Sequence, residues 1–114
     1  MPEKKNPLNL NPLQLKTLTL LQALARIDGH HTAPAEDGSI RVGNLPRPHG
    51  NHFHMGDAVV ASADATGLSN PAVWLALERK GLIRSPDVDG GVITAAGLGY
   101  DTGLAEKLLH RADH

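Results

Sequence analysis

A mainly α-helical domain carrying a small antiparallel β-sheet is the fold class the sequence predicts, and three observations predict it. Phe53, Trp74 and Tyr100 are the only aromatic residues, so the core has to be built from leucine, valine, isoleucine and alanine. Residues 12–27 and 70–80 carry apolar side chains at three- and four-residue spacing, the period of a helix with one buried face. "PDVDGG", a run of turn formers, separates Ile83 from Val92 and Ile93, which is a hairpin pattern. A chain of 114 residues fits one domain, because two cores cut from it would each bury too little surface.

Residues 1–10, polar with prolines at 2 and 7, read as a flexible N-terminal arm, and residues 11–114 as the domain. Asn11 can cap the first helix and Pro12 occupies its first turn, where a missing N–H costs nothing. Leu13, Leu20, Leu21, Leu24 and Ile27 make one wide apolar stripe, and Asp28-Gly29 supplies the stop. "HTAPAEDG" is a surface loop. In "SIRVGNL", Ile40 and Val42 alternate with polar neighbours as in a short strand, which "PRPHGN" cannot continue. "HFHM" is briefly extended with Phe53 and Met55 on one side. From Asp57, "DAVVASADAT" reads as a second helix with Asp57 as its cap.

Gly67 then offers a left-handed turn between helices. Ser69 or Asn70 caps a third helix with Pro71 in its first turn and with Val73, Trp74 and Leu77 on its core face. A lone tryptophan with such neighbours is expected in the core; exposed beside Leu75 and Ala76, it would mark a partner surface. Lys80 suits the negative end of the helix dipole and Gly81 ends it. After the hairpin, Thr94 caps a last helical segment. Gly97, Gly99 and Gly103 break it before "LAEKLLHRA" becomes regular again.

This order, together with "LERKGLI…GGVITAAG", resembles the winged helix-turn-helix domains of bacterial transcription regulators. The matching residues are Leu77, Glu78, Gly81, Leu82, Ile83, Thr94 and Gly97, with "GLS" at 67–69 matching the turn before the recognition helix. The resemblance covers roughly residues 11–112 and is most specific over 67–97. It implies a winged helix whose 70–80 helix lies near the major groove with the hairpin as its wing. Such domains often form homodimers through terminal helices, for which the leucines of 13–27 and of 104–109 could serve, unless those stripes are spent on the monomer core. "NPAVWLALERK" is about a helical turn shorter than that family's usual spacing. Its outward face carries Pro71, Ala72, Leu75, Ala76 and Arg79. Base reading needs polar or cationic groups at the helix start, where Asn70 is the candidate.

A net charge of −1 provides no global field for nucleic acid, so DNA binding would need a local patch. Ser69, Asn70, Arg79, Lys80 and Arg84 are the residues placed to supply it, with Arg41 and Arg47 near. The bland reading of these cations is a solvated helix end. The acidic "PDVDGG" wing would repel phosphate. Absence of cysteine excludes disulfides, iron–sulfur clusters and thiolate zinc sites. No apolar run spans a bilayer and no signal peptide opens the chain, so a cytoplasmic protein without a membrane partner is expected.

"RPHGNHFHMGD" at 47–57 places His49, His52 and His54 within six positions. On a strand, His52 and His54 point to one side, with His49 returning through the Gly50 turn, and the three could hold zinc, nickel or iron(II), with Asp57 completing the set. Alternatively they cap the second helix and hydrogen-bond the proline loop. They would line a pocket beside that joint, where a metal would be regulatory sooner than catalytic. "DTG" at 101–103 has the letters of an aspartic protease but not the preceding apolar strand. The functional expectation is therefore a DNA-binding transcriptional regulator and not an enzyme. The alternatives are a winged helix for protein contact or for small-molecule or metal sensing, and, third, a small metal-dependent enzyme built on the histidines.

Overall fold

The structure, a computed structural model, describes residues 6–46, 50–87 and 89–111. Helix α1, Pro12–Leu24, begins as its sequence dictates. The Asn11 side chain accepts the Gln14 N–H at 2.8 Å and the Gln14 side chain accepts the Asn11 N–H at 3.0 Å, a complete capping box. Its burial is broader than the single stripe expected. Thr17, Leu18, Thr19, Leu20 and Leu21 are all buried, and five consecutive residues span more than a full turn. α1 is enclosed at that level on every side. The two threonines do not leave polar atoms orphaned there: their hydroxyls donate to the carbonyls of Leu13 (2.9 Å) and Leu15 (2.8 Å). Full burial of each of Leu18, Leu20, Leu21 and Leu24 contributes roughly 1.5–3 kcal/mol.

Two small antiparallel sheets accompany the helices, where one was expected. The first joins β1 (Ile40–Val42), β4 (Ile83–Asp87) and β5 (Gly90–Ile93) in the order β1-β5-β4. Its register aligns Ile40, Ile93 and Ile83 in one row and Arg41, Val92 and Arg84 in the next. Alternation sends these rows to opposite faces: Ile93 and Ile83 are buried in the core, and Arg84 is exposed. Between β4 and β5, the Asp87 carboxylate accepts the N–H groups of Asp89 (2.9 Å) and Gly90 (3.0 Å). The hairpin expected around "PDVDGG" is present.

The second sheet corrects a helix read from the sequence. β2 (His52–Met55) and β3 (Ala58–Ala61) form a hairpin with Phe53 opposite Val60 and Met55 opposite Ala58. Asp57, read as a helix cap, instead shares a two-residue turn with Gly56, whose φ is +58°. Val59 and Val60 are β-branched and pack well on a pleated surface, and Phe53 and Val60 are both buried. That cross-strand pairing and burial outweigh the alanine-rich helical reading. A 3₁₀ helix, Ser62–Ser69, follows in place of the second α-helix.

Gly67 has no positive φ. Its value lies in having no side chain, because a Cβ there would run into the Thr17 hydroxyl of α1. α2 (Pro71–Arg79) leads into β4 through Gly81, at φ +77°. Thr94 caps α3 (Ala95–Gly99) by accepting the Gly97 N–H at 3.0 Å. The regular helix expected after Gly103 is only α4 (Ala105–Leu108). The chain then turns into β6 (His110–Arg111), which pairs with the free edge of β3. An open edge offers backbone hydrogen bonds that one more helical turn could not use.

Residues 6–10, read as the end of an arm, are packed. Leu10 is buried, and Asn6 bonds to both backbone groups of Leu10. The Tyr100 hydroxyl donates to the Asn6 side chain and accepts the Leu8 N–H at 3.1 Å. Among the described residues no helix is long and apolar enough to cross a membrane.

Gly67→Ala should destabilise the fold by about 1–3 kcal/mol through overpacking against Thr17. Gly99→Ala, where a Cβ meets nothing within 4 Å, should be close to neutral. Urea unfolding checks the pair, and equal midpoints for the two variants would refute the close approach.

Candidate nucleic-acid interface

α2 is the helix the sequence assigns to a partner, and its two faces are cleanly divided. Val73, Trp74 and Leu77 are buried, and the Trp74 indole N–H donates to the Leu68 carbonyl at 2.9 Å. Trp74 is a core residue with its polar atom satisfied. Pro71, Ala72, Leu75, Glu78 and Arg79 are exposed. Leu75, 48% exposed, is the one large apolar side chain so placed among the described residues. The outer face lies open and largely apolar.

Of the two candidate caps, Asn70 takes the role, its side-chain oxygen accepting the Ala72 N–H at 3.0 Å. The Ser69 hydroxyl donates to the Thr66 carbonyl at 3.3 Å. Ser69 and Asn70 thus stand at one end of α2, and Arg79 and Lys80 at the other. Nine residues of helix separate them by about 13 Å along the axis, so the five residues do not form one patch. Lys80 Nζ donates to the Leu8 carbonyl at 2.7 Å. Arg84 donates to Asp37 at 3.2 Å and to the Ser39 hydroxyl at 3.0 Å. Arg41 makes two bonds, of 3.0 and 3.2 Å, to Asp87. Arg47 lies outside the described residues.

The aspartates that hold these arginines are themselves held ionised. The Ser39 hydroxyl (2.6 Å) and the Ser39 N–H (3.0 Å) donate to Asp37, and with Arg84 beside it they lower its carboxyl from 3.8 to about 2. The Asp89 N–H lowers Asp87, with help from Arg41 and the Gly90 N–H. Sequence reasoning found the arginines and missed Asp37. The short "DGS" spacing that lets Ser39 organise Asp37 was the available signal.

The histidines lie on the second sheet. His52 and His54 are exposed on the outer face of β2, their ring centroids 6.1 Å apart, while Phe53 and Met55 point into the core. His49 lies outside the described residues. They cap no helix, since none begins at Asp57. A hollow of about 300 Å³ does lie beside the hairpin, but Ala23, Ile27, Met55, Ala58 and Leu109 line it, with Arg26 and Asp57 at the same site. The histidine pair sits on the strand face opposite Met55. Among the described residues no group of three histidine or acidic side chains could enclose a metal ion.

The "DTG" of 101–103 lies in the loop between α3 and α4. There the Thr102 hydroxyl is bonded to that of Thr19 at 2.6 Å, and Asp101 accepts the Gly103 N–H at 3.0 Å. It has a structural role and no strand beneath it. Comparisons with protein families, with curated proteins and with solved structures gave no match.

Asp37, with its carboxyl lowered when folded, contributes stability that is present above pH 3.8 and lost as pH falls through about 2. The gap in melting temperature between wild type and Asp37→Asn should therefore shrink between pH 5 and pH 2. A constant gap would remove the carboxylate from the stability of this face.

Proposed function

We propose that the chain is a winged-helix binding module of the transcription-regulator kind, with α2 as the helix it presents to duplex DNA and the β4–β5 hairpin as its wing. The open outer face of α2 carries this reading: a helix followed at once by a hairpin, with its partner face uncovered, is what groove docking needs. The β1-β5-β4 order, in which the strand after α1 pairs with the second strand of the hairpin, supports the same fold. On this reading the 3₁₀ helix would stand in for that fold's second helix, with β2 and β3 inserted before it.

Arg79 and Lys80 would take phosphates at one end of α2, Ser69 and Asn70 would meet the duplex at the other, and Arg84 would exchange Asp37 for a phosphate. Such contacts position a protein and carry little sequence information. A module of this kind would find its specificity in shape or in a second copy.

A protein partner is the second reading, and a specific observation favours it. The cations nearest the wing are held by carboxylates of the same chain, Asp87 and Asp89 keep the wing acidic, and Leu75 is bare. An apolar partner side chain would bury Leu75 at the centre of such a contact.

Fluorescence anisotropy with a labelled nonspecific duplex separates the two. DNA binding should appear at low salt and weaken with a slope of about −0.9 per phosphate contact in log–log form. Arg79→Ala should weaken it, and Asp37→Ala, which releases Arg84, should tighten it. No binding at low salt overturns the DNA reading and leaves the second.

A further inference from the structure

We propose that His52 and His54 form a two-imidazole chelate for a borderline divalent transition ion of the zinc or nickel type, on the outer face of β2. This inference is independent of DNA binding. Strand alternation sets both rings on one side. Burial of Phe53 and Met55, with register to β3 along all of β2, holds the backbone beneath them. With metal–nitrogen bonds of about 2.1 Å and a ring nitrogen about 1 Å from its centroid, two imidazoles on one tetrahedral ion have centroids about 5 Å apart. The observed 6.1 Å is within reach of a small side-chain rotation, and both rings are exposed.

The residues across from them in the ladder are Ala61 and Val59. These short side chains leave room above the sheet for an ion and its waters. Imidazole nitrogen suits zinc, copper and nickel over magnesium or calcium, which prefer oxygen. Two histidines fill half of a tetrahedral shell, so the remaining positions stay with solvent or with a donor from a second molecule. The site would bind reversibly, as a sensing or bridging site does, and not as a closed structural one.

Isothermal titration of the untagged full chain with Zn²⁺ alone, and separately with Ni²⁺ alone, tests this. Either His52→Ala or His54→Ala should weaken uptake by roughly tenfold or more, since each removes half of the chelate. The double variant His30→Ala/His31→Ala should retain it, because those rings lie elsewhere, bonded to the carbonyls of Asn44 and Thr32. Both chelate positions are exposed, so the metal-free variants should melt with the wild type, and circular dichroism verifies that they are folded. Absence of binding by the wild type, or binding equally strong in His52→Ala/His54→Ala, overturns the proposal.

Discussion

One turn of α1 has no outward face, and the rest of the chain is arranged to cover it. Thr17 to Leu21 are buried all round, so three separate segments have to reach the helix. The 3₁₀ helix comes close enough that Gly67 rests on the Thr17 hydroxyl. α2 packs on α1 as well. The segment from α3 to α4 is tied on by Thr19 to Thr102, and by Gln22, whose amide donates to the carbonyls of Gly97 (2.8 Å) and Tyr100 (2.7 Å). Polar groups in a buried helix are costly unless bonded. Here Thr17 is satisfied within α1, while the Thr19–Thr102 bond and the Gln22 amide also draw the α3–α4 segment alongside. Leu18, Leu20, Leu21 and Leu24 of α1 are buried within the one chain.

The surface follows a different logic. Exposed ion pairs contribute little to stability, about 0–1 kcal/mol each, so the pairing of Arg84 with Asp37 and of Arg41 with Asp87 matters more for what the sheet shows to a partner. Each cation arrives with a counter-charge already attached. An incoming phosphate has to compete with an aspartate fixed in its ionised form by Ser39 or by the turn at Asp89. That competition, and not the number of basic residues, sets how strongly this face could hold a nucleic acid.

Legibility in the sequence tracks distance along the chain. The cap at Asn11, the cap at Thr94, the stop at Gly81, the hairpin around Asp87 and the inward face of Trp74 were all readable, since each depends on neighbours a few residues away. Residues 57–66 were misread because their alanine content suggests a helix, while the Gly56-Asp57 turn and the Val59-Val60 pair carry the competing strand signal. β6 could not be read at all: a two-residue strand exists only because β3 presents an unpaired edge. For the candidate site, the residue types were legible and their engagement was not. Asp37 lies 47 positions from Arg84 and Leu8 lies 72 from Lys80.

The sequence by itself determined the helix starts at Asn11, Asn70 and Thr94, the stop at Gly81, the hairpin around Asp87, and which side of β2 carries Phe53 and Met55 and which carries His52 and His54. These outcomes rest on local hydrogen bonds and on the fixed two- and 3.6-residue periods of the backbone. Tertiary structure alone decided that Val59 and Val60 lie in a strand, that Gly67 serves by lacking a side chain, and that Arg41, Lys80 and Arg84 bond to groups of the same chain. Those outcomes depend on contacts between separate elements, which local periodicity does not encode: β3 against β2, the 3₁₀ helix against α1, and β1 beside β5 and β4.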